Sequence, residues 1–247
     1  MEVLEFQCPN IGLLKMYGER FNTGLDFQIM SNAKGNEVDE LVFLDSRGMG
    51  REFRGSLAEK IITRTDLNGS YVMVCRPLEL TTWATLVNFM ALNSIKPRKI
   101  ITNMGFVDFT PKKPNLLDDA VEQVNYIIGK EVAKSIFAEN YISSTGEIIG
   151  LYSMTYSNKY KQSIECIVRN IPTVIINTPI VEEGINIKRT RPQAFFKGLA
   201  LSAAFNQSIM GAQVVNIPLF DETLTYDAVH YTTLGNEVIF NMIKEYL

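Results

Sequence analysis

The sequence predicts an α/β protein in three layers, with a sheet of five parallel strands covered by helices on both faces. Three observations carry this expectation. Short apolar runs rich in β-branched residues recur along the chain, longer segments of helical period separate them, and the two alternate repeatedly. The runs are residues 41–44 (LVFL), 71–75 (YVMVC), 99–102 (KIIT), 173–176 (TVII) and 213–217 (QVVNI), and Gly, Pro, Asn or Asp bounds each of them. Strands that are apolar almost without interruption suit a sheet buried on both sides.

Residues 1–38 precede the first run and fit the pattern less well. FNTGLDFQIM alternates weakly and NAKGNE reads as a turn, so an N-terminal extension or hairpin is expected. Helical segments are expected at roughly 50–63, 80–93, 115–137, 147–169, 191–209 and 233–247. The last is the clearest: Leu234, Val238, Ile239, Met242, Ile243 and Tyr246 share one stripe, with Thr232 or Thr233 available as a cap. The stretch 111–170 is longer than a minimal crossover and predicts a helical excursion over one rim. With no linker, repeat or low-complexity tract, residues 1–247 are expected to form one domain.

Composition narrows the function. The chain carries 24 Lys+Arg against 27 Asp+Glu, a formal net charge of −3 without the basic excess that nucleic acid demands. A unit of about 250 residues buries roughly three quarters of its unfolded surface, so it needs no disulfide or metal staple. Cys8, Cys75 and Cys166 match neither a disulfide framework nor a C-x-x-C site, which fits a reducing cytoplasm. The N-terminus has Glu2 and Glu5 and no signal-peptide apolar run, and no 18-residue apolar stretch follows, so a cytoplasmic protein without a membrane partner is expected. One histidine excludes any site built from two imidazoles. Imidazole chemistry here must use His230.

In open parallel sheets, ligands bind beyond the carboxyl ends of the strands, so the residues that follow each run are the informative ones. Asp45-Ser46-Arg47-Gly48 follows the first run and Asn103-Met104-Gly105-Phe106-Val107-Asp108 the third; Tyr226-Asp227-Ala228-Val229-His230-Tyr231-Thr232 precedes the last helix. A serine hydroxyl becomes a nucleophile when a base takes its proton and a carboxylate orients that base. Asp227 lies three residues before His230, close enough for both side chains to face one pocket, and Ser46 is the candidate nucleophile.

These blocks resemble the SGNH (GDSL-type) hydrolases. That family has an Asp-Ser block after its first strand, a Gly-x-Asn-Asp block after its third, and an Asp-x-x-His block before its last helix. Asp45-Ser46, Gly105-Phe106-Val107-Asp108 and Asp227-Ala228-Val229-His230 stand at those places, and TVIINTP resembles the family's fourth strand and its exit; the likeness covers roughly residues 40–247. The resemblance implies a flavodoxin-like sheet, a Ser46–His230–Asp227 triad, no cofactor or metal, and an ester substrate, either an O-acyl group on a carbohydrate or a small acyl ester. Three positions depart from the pattern. Leu44 stands where the family has glycine, and residues 76–80 (RPLEL) lack the second block's glycine, leaving the oxyanion to a backbone N–H of Leu78 or Glu79. Val107 replaces an amide donor, with Asn103 nearby as a substitute; losing one such donor typically lowers turnover by about 10² to 10³.

Each of these residues also has a structural reading. His230 can be a buried or helix-capping imidazole, Ser46 a cap for a helix near Gly50, and Asp45 an Asx-turn residue. Gly105 suits close backbone approach. Arg47, Arg51 and Arg54 recur at helical spacing, which points to an anionic substrate or, more commonly, to a solvated face; Arg189 and Arg191 pose the same choice. Trp83 reads as core rather than as a sugar platform. Two rivals therefore stand beside the esterase: an O-acyltransferase using the same residues, and an SGNH-like protein that binds a glycan without catalysis.

Overall fold

The computed structural model describes residues 3–8, 12–20, 26–49, 53–76, 83–110, 139–141, 150–153, 158–188, 191 and 193–247. Its strands are β1 (Val3–Cys8), β2 (Gly12–Arg20), β3 (Asp26–Ser31), β4 (Glu37–Asp45), β5 (Tyr71–Arg76), β6 (Lys96–Thr102), β7 (Glu139–Tyr141), β8 (Gly150–Ser153), β9 (Thr173–Ile176) and β10 (Gln213–Val215). Its helices are α1 (Ser46–Met49), α2 (Leu57–Ile62), α3 (Trp83–Leu92), α4 (Asn158–Asn170), α5 (Gln193–Gln207) and α6 (Thr233–Ile243).

The result is an α/β fold around a mostly parallel sheet. Eight strands lie in the order β1-β2-β3-β5-β4-β6-β9-β10. The five expected runs are the parallel part, β5-β4-β6-β9-β10. The sheet does not stop at five strands, which corrects the expectation: β1, β2 and β3 form an antiparallel meander whose last strand pairs with the free edge of β5, Met30 opposite Met73. Within residues 1–38, the described strands β1, β2 and β3 extend the sheet. An antiparallel edge strand shows only half of its residues to the core, so its apolar signal is diluted.

Both faces of the parallel strands are buried. In β4, Leu41 and Phe43 point into one core and Val42 and Leu44 into the other, all at 0% exposure. The two-residue period of a strand with two covered faces thereby yields an unbroken apolar run. Trp83 and Phe89 of α3 and Ile164 of α4 cover the first face, while Leu57 and Ile61 of α2 and Ile239 of α6 cover the second. Each such side chain contributes roughly 1.5–3 kcal/mol by leaving water. Trp83 is fully buried, as its apolar context predicts.

The helix expected at 147–169 is half right. Residues 158–170 form α4, but 150–153 are a strand paired antiparallel with 139–141 in a small separate sheet. The helix expected at 115–137 lies outside the described residues. Thr232 caps α6 by accepting from the Gly235 N–H at 3.1 Å, and Ser56 caps α2 by accepting from the Glu59 N–H at 3.1 Å. Between these helices, Lys60 pairs with Glu237 and the Asn236 amide donates to the Gly55 carbonyl at 3.1 Å. That contact fixes the start of α6, and with it the loop that ends there. No helix among the described residues is long and apolar enough to cross a membrane.

Candidate active site

Parallel strands end on one rim, so β4, β6, β9 and β10 deliver Ser46, Asn103, Asn177 and the loop 226–231 to the same end of the sheet. β4 closes with a charged knot. Asp45 Oδ1 accepts from the Arg47 backbone N–H at 2.9 Å, the Asx turn expected of it, and the Arg47 guanidinium pairs with Asp45 Oδ2 at 2.7 Å. The same guanidinium donates to the Asn103 carbonyl at 2.5 Å and to Thr178 Oγ1 at 3.2 Å. Asn103 closes the knot, its Oδ1 accepting from the Asp45 N–H at 2.8 Å and its Nδ2 donating to Asp45 Oδ1 at 2.9 Å. Asp45 and Arg47 are both 1% exposed, so the pair replaces with protein partners every interaction that water would have supplied.

This placement corrects two expectations. Arg47, expected at an anionic substrate or on a solvated face, is sealed beneath the rim. Asn103, expected as an oxyanion donor, has spent its amide on Asp45. Ser46 lies between two residues of the knot, at the start of α1, and is itself partly exposed. Gly105 has φ +113°, and a Cβ there would come within 2.6 Å of Asn206 Oδ1, so it is a side chain, not the backbone, that closes on this glycine. Val107 begins a 3₁₀ turn over Val107–Phe109. Leu78, Glu79 and Arg51 lie outside the described residues.

The second loop is built on Asp227. Its Oδ1 accepts from the backbone N–H groups of Val229 at 3.0 Å and His230 at 2.7 Å, and its Oδ2 faces His230 Nδ1 at 2.9 Å. The Asp-x-x-His spacing works because Ala228 takes φ +63°, a left-handed conformation that turns the following N–H groups back onto the carboxylate. Burial disfavours the Asp227 charge, but the hydrogen bonds from the His230 side chain and backbone outweigh it and hold this carboxyl well below the usual carboxylate range. The imidazole stacks on Tyr226, with ring centroids 5.8 Å apart and planes at 14°, and its side chain remains 28% exposed.

The two loops meet through their neighbours. Arg47, next to Ser46, lies beside the buried phenol of Tyr231, next to His230; burial pushes that phenol up to about 12 despite the guanidinium. No hydrogen bond joins Ser46 Oγ to His230 among the described residues. Beside the loops opens a cavity of about 350 Å³ lined by Met49, Arg54, Lys188, Tyr226, Tyr231 and Thr232 among others. Two roles escaped the sequence reading: that of Tyr226, which stacks on the imidazole, and that of Arg191, whose guanidinium pairs with Asp227 at 3.1 Å instead of facing substrate or solvent. Arg191 had a signal, its place after the fourth strand, but nothing local names its partner. No group of three or more His, Cys, Asp or Glu is placed to hold a metal ion among the described residues.

No protein-family model and no curated protein matches the chain. Among solved structures, one described as a GDSL-like lipase from Parabacteroides merdae is similar at 12% identity and TM-score 0.42, over 87% of this chain and 96% of that one. The siderophore hydrolase EstB from Aspergillus nidulans is similar at 9% identity and TM-score 0.37, over 98% and 95%. The esterase domain of a Rhodothermus marinus protein is similar at 10% identity and TM-score 0.39, over 99% and 96%. With every one of these scores below 0.5, the likenesses establish neither family nor reaction.

Proposed function

We propose that the protein is an SGNH-type serine hydrolase that cleaves an O-acyl ester, on a carbohydrate or a small acyl compound. The observation that carries the reading is the Asp227–His230 pair: a half-buried imidazole whose Nδ1 faces a carboxylate at 2.9 Å, at the rim where Ser46 follows a parallel strand. With Nδ1 held, Nε2 is free for a serine hydroxyl. The order of the five parallel strands supports the reading, because it is that of flavodoxin-like sheets, whose ligand site lies between the first and third strands. Those strands are β4 and β6, and Ser46 follows β4.

In this mechanism His230 Nε2 takes the proton from Ser46 Oγ as the oxygen attacks the ester carbonyl, and Asp227 stabilises the imidazolium. Collapse of the tetrahedral species breaks the bond to the alcohol oxygen, which receives that proton. Water, activated by the same imidazole, then clears the acyl-serine. The Gly105 N–H, which no described residue accepts, is available for the oxyanion. The Ser46–His230 bond forms as substrate enters, since catalytic hydrogen bonds are often long in unliganded sites. Delivery of the acyl group to a sugar hydroxyl instead of water would make the protein an O-acyltransferase with the same residues.

A second reading has its own observation. Ser46 lacks a hydrogen bond to His230, and neither Asn103 nor Val107 offers a side-chain donor, which suits an SGNH-like protein that binds a glycan without cleaving it. Hydrolysis of p-nitrophenyl acetate separates the two. The esterase reading expects turnover that Ser46→Ala abolishes. Turnover retained by Ser46→Ala defeats it, and its absence from wild type favours the binding reading.

A further inference from the structure

We infer that Arg191 is a positioning residue that clamps Asp227 and weakens the pull of its carboxylate on the His230 proton. Its guanidinium meets Asp227 at two points, Nε donating to the backbone carbonyl at 2.9 Å and Nη2 to Oδ2 at 3.1 Å. Holding both the carbonyl and the carboxylate of one residue fixes the side chain relative to its own backbone. The arginine is itself held, with Cζ 4.8 Å from the centroid of the buried Phe195 ring and its side chain only 12% exposed.

The second contact falls on the oxygen that faces His230. Oδ2 is thus shared between a permanent cation and the imidazole Nδ1. A carboxylate already partly neutralised stabilises a neighbouring imidazolium less than a free one does, and the guanidinium adds direct repulsion. The other titratable or charged groups near the imidazole are Tyr226, stacked on it, and Tyr231 on its own loop, with the Asp45–Arg47 pair behind Tyr231; Lys188 and Arg54 line the cavity on the side of Tyr226 and Tyr231. Among the described residues, Arg191 is the cation side chain hydrogen-bonded to Asp227 besides His230 itself.

The lone histidine makes the test direct, because the chain has a single imidazole C2–H resonance to titrate. Arg191→Gln is expected to raise its midpoint above that of wild type, while Arg191→Lys, which keeps the charge, stays nearer to wild type. An unchanged midpoint in folded Arg191→Gln overturns the inference. Should that variant not fold, the wild-type protein decides: the Arg191 Nε–H resonance must shift along the same titration curve as the imidazole, and a flat response contradicts the shared oxygen. The kinetic consequence, an acid limb of kcat/KM that moves up with the midpoint, rests on the hydrolase reading. The resonances do not, so a protein that titrates as expected yet turns over no ester defeats that reading alone.

Discussion

Asp45 and Asp227 close two loops at the same end of the sheet with nearly the same local chemistry. Each accepts the backbone N–H two residues ahead, and each pairs with an arginine. Around Asp45 every remaining valence is taken inside the fold by Arg47 and Asn103, and nothing there reaches solvent. Around Asp227 one contact goes to a partly exposed imidazole that can gain or lose a proton. A carboxylate and an arginine therefore do structural work where they are sealed, and gain chemistry where a titratable third partner is partly exposed. Ser46 belongs to both regions, anchored in the first and facing the second in the proposed mechanism.

The comparison breaks most visibly if function and stability fail to separate. Asp227→Asn is expected to lower kcat about 10⁴-fold through loss of the correct imidazole tautomer, with cooperative unfolding retained; steady-state kinetics beside circular dichroism check both. Arg47→Ala should do the reverse. It leaves the Asp45 charge buried and uncompensated, at a cost of about 3–5 kcal/mol in chemical denaturation. Equal losses of stability in the two variants would erase the distinction.

Two smaller effects sharpen it. Gly105→Ala must hold alanine at positive φ and displace Asn206, so about 1–3 kcal/mol of stability should be lost. The last concerns pH. Since the folded carboxyl of Asp227 is held below its unfolded value of about 3.9, its contribution to stability is present above that pH and is lost as pH falls through the folded value. The gap in urea midpoint between wild type and Asp227→Asn should therefore narrow as pH falls below about 4. A gap that widens on acidification contradicts the assignment.

The parallel strands were legible because a strand buried on both faces writes itself as an apolar run, as residues 41–44 and 173–176 do. The antiparallel edge was not, since β1 to β3 become strands through the partner they find at β5. In the site, Asp227 and His230 are three residues apart and were readable together. Arg191 was not, because its partner is 36 residues away and only the fold brings them together. Arg47 was misread for a local reason: the spacing of Arg47, Arg51 and Arg54 implied one helical face, but the buried carboxylate of Asp45, two residues before it, draws Arg47 inward.

The proposed nucleophile is tested most directly by treating the protein with a fluorophosphonate and mapping the adduct by peptide mass spectrometry. The hydrolase account predicts one phosphonylated residue, Ser46, with labelling lost in Ser46→Ala and His230→Ala. Labelling at another serine, or none in wild type, would contradict it.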